Sequence, residues 1–210
     1  MVEGGIGIRR IIKIVLIGEN AVGKTSLRQV YVGKKYQERC RPTLGVDFSV
    51  KEDVMATGEG WQWQIWDLAG APNYRPLQTV LYFGAVGAMV VYDLANPVSL
   101  TRLPFWVNEL YAGVKTAIPL LVVGNKTDLR ETGTPCLTTE HGTAVVRQLQ
   151  EHFGLSWIGF IETSAKTATN VTKAFDELRK LILVKLNREE RETKKALVEV
   201  PPAKTKSKEP

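Results

Sequence analysis

Gly18-Glu19-Asn20-Ala21-Val22-Gly23-Lys24-Thr25 spaces two glycines across a short loop and follows the second with a lysine and a hydroxyl residue. This pattern suits the polyphosphate of a nucleotide. Backbone N–H groups must wrap the phosphate oxygens, and glycines let the chain take the dihedrals this needs. The Lys24 amine reaches the terminal phosphates, and the Thr25 hydroxyl is a ligand for Mg²⁺. A helix opening at Lys24 aims its positive end at the anion. Gly18, Asn20, Ala21, Val22, Gly23, Lys24, Thr25 and Ser26 are therefore the candidate phosphate-site residues. The loop alone selects neither a base nor a reaction, since kinases, ATPases and GTPases all use it.

A second constellation bears on the base. In Gly124-Asn125-Lys126-Thr127-Asp128, a carboxylate follows an apolar run. An aspartate accepts two hydrogen bonds from the N1–H and exocyclic amino group of guanine. Adenine lacks that amino donor and leaves the carboxylate unpaired, a mismatch of about 1–3 kcal/mol or more. Glu162-Thr163-Ser164-Ala165-Lys166 ends a further apolar run, and a backbone N–H there is placed to meet guanine O6.

These loops need a scaffold that delivers them to one edge. Ile11–Ile17, Ala88–Tyr92 and Pro119–Val123 are short, β-branched and almost continuously apolar, the pattern of buried parallel strands. Gly45–Val54 and Gly60–Trp66 instead alternate polar and apolar residues around Thr57-Gly58-Glu59-Gly60, which predicts a hairpin. Helical periodicity begins at Lys24 and recurs over about Val98–Gly113, Thr139–Phe153 and Thr169–Asn187. In the last of these, Val171, Phe175, Leu178, Leu181, Ile182 and Val184 form the expected apolar face. Strand–helix alternation predicts an α/β fold: a six-stranded, mostly parallel, doubly wound sheet with one antiparallel strand from the hairpin. Residues 1–187 form the expected domain. Residues 188–210 crowd charges of both signs and then Pro201-Pro202, which predicts a frayed helix end and a disordered tail.

With the phosphate loop, the Asn-Lys-x-Asp segment and Ser164-Ala165-Lys166 in this order, about Arg10 to Asn187 closely resembles the Ras superfamily of small GTPases. The resemblance implies that Asn125, Lys126 and Asp128 specify guanine, with Ser164, Ala165 and Lys166 as partners and Tyr36 packed on the base edge. Pro42-Thr43-Leu44-Gly45-Val46-Asp47-Phe48 resembles switch I of the Rab branch. Trp66-Asp67-Leu68-Ala69-Gly70 resembles the start of switch II. The resemblance makes Thr43 the second protein ligand of Mg²⁺, has Asp67 hold the ion through water, and has the Gly70 N–H meet the γ-phosphate. Lys24, Thr43, Gly70 and Ala71 are then the expected catalytic surroundings. Phe48, Trp66 and Tyr74 match the aromatic positions through which effectors, exchange factors and activating proteins dock.

One departure concerns the reaction. Ala71 follows Gly70 where the family usually has the glutamine that orients the attacking water. A methyl group orients nothing, and Pro72 biases Ala71 toward extended geometry. Slow intrinsic hydrolysis of GTP to GDP and phosphate is the expectation. The alternative is an essentially non-hydrolysing GTP-bound scaffold. Nearby Asn73 and Gln78 have no geometric claim to the missing role. A P-loop kinase has no use for the guanine-reading segments.

Composition sets the remaining bounds. The 210 residues carry a net charge of +6, with 44% hydrophobic and 24% charged residues, as in an ordinary globule. The basic residues are scattered among acids and no base-reading motif accompanies them, so nucleic-acid binding is not expected. Cys40 and Cys136 are isolated, which disfavours a disulfide framework or a zinc site. No apolar run approaches a membrane span or a signal peptide. No cysteine follows Cys136 and Val2 follows Met1, so neither prenylation nor myristoylation is expected. The tail lysines offer at most weak attraction to anionic lipid, and a cytoplasmic monomer is the expectation.

Overall fold

The computed structural model describes residues 8–38, 43–54, 58–70 and 80–198. The first strand, β1 (Ile8–Ile17), runs into the phosphate loop and α1 (Lys24–Tyr31). The hairpin follows as β2 (Val46–Val54) and β3 (Gly60–Leu68). Then come β4 (Ala85–Asp93), α2 (Pro97–Thr101), α3 (Leu103–Val114), β5 (Leu120–Asn125), a 3₁₀ turn at Thr127–Arg130, α4 (Thr139–Phe153), β6 (Ile158–Thr163) and α5 (Val171–Val198).

The six strands lie in the order β2-β3-β1-β4-β5-β6. Only the β2–β3 pair is antiparallel, with Phe48 opposite Trp66 and Val50 opposite Gln64. The predicted sheet and hairpin are thus the observed ones. The central strands β4 and β5 are buried almost throughout because the sheet is covered on both faces there. Ile14, Leu16, Ile65, Val91 and Val123 pack with Leu27 of α1 and Phe175 and Leu178 of α5. Val15, Ile17, Val90, Val122 and Tyr92 pack on the other face with Leu100, Trp106, Leu110 and Leu149 from α2, α3 and α4. Parallel strands that all end at one edge bring the loops after β1, β3, β5 and β6 together, where a crevice ligand sits in such folds.

The edge strand β2 turns its apolar side outward: Phe48, Val50 and Val54 are exposed. Its two aspartates are held from the helix side, Asp47 by Arg28 of α1 and Asp53 by Arg179 of α5. Each aspartate also accepts the N–H of the residue after it, Phe48 at 2.8 Å and Val54 at 3.0 Å.

Two elements differ from expectation, in three respects. The helix predicted over Val98–Gly113 is two helices. Pro104 lacks an N–H, and in a continuous helix its ring would clash with the Leu100 carbonyl, so the chain restarts at Leu103. Val184, assigned to the apolar face of the last helix, is exposed. It lies two positions past Ile182, about 200° around the helix, and Leu186 packs against the core instead. That helix also continues past Asn187 to Val198, supported by the i,i+4 pairs Lys185–Glu189 and Arg188–Glu192 and by Arg10–Glu190. No helix among the described residues is long and apolar enough to cross a membrane. Cys40 and residues 199–210 lie outside the described residues.

Candidate functional site

The loop after β1 enters α1 through Gly23 at φ +99°, a left-handed conformation that disfavours any side chain. A Cβ there would also lie 2.2 Å from Asn125 Nδ2. Lys24 follows, with its side chain folded back over the loop. Its Nζ donates to the carbonyls of Gly18 and Glu19, both at 2.8 Å. Burial pushes the Lys24 ammonium down to about 8, while Asp67 and Glu19 pull it back up. An anion delivered to this loop therefore meets a poorly solvated ammonium, whose charge it would stabilise.

Thr25, Thr43 and Asp67 come from α1, from the segment before β2 and from the end of β3, yet they converge. The Thr25 hydroxyl donates to Asp67 Oδ2 at 2.5 Å and lies 2.8 Å from the Thr43 hydroxyl. Thr43 reaches the same carboxylate oxygen at 3.4 Å. Asp67 is fully buried, and burial raises its pKa against the pull of Thr25, Lys24 and Arg28. Its other oxygen, Oδ1, has no hydrogen-bond partner among the described residues. Two hydroxyls and one carboxylate with an orphaned oxygen suit a hard cation that keeps waters and shares phosphate oxygens, as Mg²⁺ does. No cluster of three His, Cys, Asp or Glu side chains offers a rival metal site among the described residues.

Gly70 sits against the phosphate loop. A Cβ on it would come within 2.6 Å of the Asn20 nitrogen and 2.7 Å of the Glu19 carbonyl oxygen. Glu19 is fixed from outside by Arg102 (3.2 Å) and by the Trp106 indole (3.1 Å) of the α2–α3 region.

At the other end, Asn125 is 1% exposed and knits three loops together. Its Nδ2 donates to the Val22 carbonyl (2.9 Å), and its Oδ1 accepts from the Thr163 hydroxyl (3.1 Å) and the Ala165 N–H (3.2 Å). Asn125 is thus a tie between loops. Within the Glu162–Lys166 segment, the Ala165 N–H is engaged by Asn125. Lys126 adopts a left-handed backbone, and its amine pairs with Asp93 at 2.7 Å. This lays the side chain along the pocket wall. Ser164, fully buried, donates to Asp128 Oδ1 at 2.5 Å and accepts from the Thr167 N–H, which fixes the carboxylate's orientation.

These groups border one pocket of about 480 Å³. Asn20, Ala21, Gly23, Lys24, Thr25, Ser26, Tyr36, Thr43, Gly70, Asn125, Lys126, Asp128, Ala165 and Lys166 all line it. Gly18, Val22, Asp67 and Ser164 stand just behind, acting through backbone or a lining neighbour. Gln37, Glu38, Leu68 and Leu129 also line it and were missed, because no motif marks them. Asp93, which pairs with Lys126, lies one residue past the expected strand Ala88–Tyr92, and no motif marks it. Ala71, Pro72, Asn73, Tyr74, Gln78, Pro42 and Thr57 lie outside the described residues.

Phe48 stacks on Trp66 across the hairpin, with centroids 5.7 Å apart, and is 57% exposed. The Lys13 amine sits 4.1 Å over the Trp66 ring.

Comparison with known proteins agrees with this geometry. The model of the Ras family matches residues 13–184. Ras-related protein Rab-25 of Homo sapiens is 36% identical over 179 residues, covering 85% of this chain and 79% of that protein. Ras-related protein YPTC6 of Chlamydomonas reinhardtii is 36% identical over 166 residues (79% and 72%). Ras-related protein Rab-11C of Dictyostelium discoideum gives 36% over 166 residues (79% and 70%).

Proposed function

This chain belongs to the Ras family and is a Rab-like small GTPase, a GTP-binding switch; from that premise we infer that it works with Mg²⁺, reads guanine through Asp128, and hydrolyses GTP slowly unless a partner assists. One observation carries the reading: Thr25, Thr43 and Asp67 meet at one end of a pocket whose other end holds Asp128.

Lys24 and the loop N–H groups bind and orient the phosphates. Thr25 and Thr43 are the direct protein ligands of the ion, and Asp67 holds it through water. Bound Mg²⁺ offsets phosphate charge. Thr43 lies just before β2 and Gly70 just after β3, on the segments that respond to the γ-phosphate. The hydrolytic deficit rests on Ala71, whose methyl group cannot hold a water in line. Effectors and regulators dock on the exposed Phe48–Trp66 stack together with Tyr74. Scattered basic charge does not favour nucleic acid, and a monomer is the working form.

Single-turnover hydrolysis of GTP by the purified, Mg²⁺-loaded protein tests this reading. Slow conversion to GDP over hours supports a self-timed switch. GTP held tightly without conversion supports the scaffold reading that Ala71 also allows. Equal competition by ATP for the site overturns guanine selectivity.

A further inference from the structure

Among the described residues, Arg28 is the only arginine in the buried interior, with 2% of its surface exposed. It lies on α1 one turn after Thr25, directly behind the group of Thr25, Thr43 and Asp67. Its Nη1 donates to Ser49 Oγ at 2.5 Å, and its Nη2 to Asp47 Oδ2. Its Nε has no hydrogen-bond partner among the described residues and lies 3.9 Å from Asp67 Oδ2.

A buried guanidinium is costly unless it neutralises something. Asp47 is more than half exposed, so water screens it and it needs no buried cation. Asp67 is fully buried, and among the described residues the cations acting on its charge are Lys24 and Arg28. Once phosphates occupy Lys24, Arg28 is the fixed positive charge that remains beside Asp67 among the described residues. It can neither leave nor lose its proton.

We propose that Arg28 is a built-in counter-cation of the metal site, neutralising Asp67 from behind so that the chain holds its nucleotide when magnesium is withdrawn. This rests on the Mg²⁺–nucleotide reading above. The physical ground is a competition between charges. With the ion present, Arg28 repels it and weakens its binding. With the ion absent, Arg28 keeps a bare buried carboxylate from repelling the phosphates. Both effects shrink the difference in nucleotide retention between the magnesium-bound and magnesium-free states.

The test follows release of a fluorescent GDP from the full chain, with millimolar Mg²⁺ or with a chelator. Chelation is expected to speed release from the wild type by less than about tenfold, that is by less than about 1.4 kcal/mol of coupling between ion and nucleotide. In Arg28→Met the ratio of the two rates rises about tenfold above the wild type, and half-saturation by Mg²⁺ moves to lower concentration. Arg28→Lys, which keeps a buried charge, holds the wild-type ratio. Asp47→Asn removes the outer partner but leaves the guanidinium beside Asp67, so its ratio stays level or falls. A purely mechanical pin between α1 and β2 instead makes Asp47→Asn move with Arg28→Met, and that result overturns the proposal. So does a wild-type acceleration of a hundredfold or more, which decides the matter even where Arg28→Met does not fold. A wild type that takes up no GDP overturns the functional reading instead.

Discussion

Asn125 donates its side-chain amide to the main-chain carbonyl of Val22 at 2.9 Å, joining the base-side loop to the phosphate loop. Its oxygen is held by Thr163 and Ala165. Both polar atoms are buried, so removing them strands partners that water cannot reach. Asn125→Ala is expected to lower folding stability by about 2–4 kcal/mol, from two or more unsatisfied buried groups. It also weakens GDP and GTP alike, because the two ends of the pocket lose their common tie. Urea denaturation beside nucleotide titration checks this; a loss of affinity with unchanged stability contradicts it.

Asp128 presents an oriented carboxylate, one oxygen taken by Ser164. In Asp128→Asn, an amide donor replaces one of the acceptors that guanine needs. Affinity for GTP should fall by about a hundredfold, two lost charge-assisted hydrogen bonds being worth about 3 kcal/mol or more. A base with a carbonyl in place of the exocyclic amine, as in xanthosine triphosphate, should gain. Competition between the two triphosphates reads the exchange directly.

The missing water-orienting group can be supplied. Ala71→Gln restores an amide after Gly70, and single-turnover GTP hydrolysis should accelerate by about tenfold or more. An unchanged rate removes Ala71 as a limit on turnover.

Gly70 leaves no room for a methyl group, with Asn20 N and Glu19 C both 2.6 Å from where its Cβ would be. Gly70→Ala must push switch II away from the phosphate loop. Nucleotide should still bind through Lys24 and Asp128. The tryptophan fluorescence change between GDP-loaded and GTP-analogue-loaded protein, to which nearby Trp66 contributes, should largely vanish.

Arg179 spans α5 and the hairpin. It pairs with Asp53 and Asp176 and lies 4.6 Å over the Trp63 ring. Arg179→Ala should cost about 1–3 kcal/mol, a partly buried ion pair plus a cation–π contact. Neither Arg179 nor these partners line the pocket, so nucleotide affinity should hold. Thermal unfolding with bound and free nucleotide separates the two.

Much of this molecule is readable from the chain. The strands behind the site announce themselves because burial on both faces leaves no room for polar residues, as in Leu120–Val123. The phosphate and base loops follow them directly, so their placement at one edge needs only the parallel sheet. Three features escape a linear reading. Val184 was lost to phase, since an apolar residue two places from a core position faces away. The extra length of α5 rests on charge pairs rather than an apolar face, so crowded charges read as fraying. The ties that aim the site, Asn125 to Val22 and Lys126 to Asp93, join residues far apart in sequence. No local pattern records such contacts.

The edge strand β2 has a consequence for behaviour in a crowded solution. An open sheet edge with apolar side chains is an invitation to strand addition and then to aggregation. Here the N–H groups of Phe48 and Val54 are already engaged by Asp47 and Asp53, and arginines hold those aspartates in place. An incoming strand therefore meets a broken row of donors flanked by carboxylates. The apolar face of the hairpin can stay open to a folded partner while its edge discourages fibre-like growth.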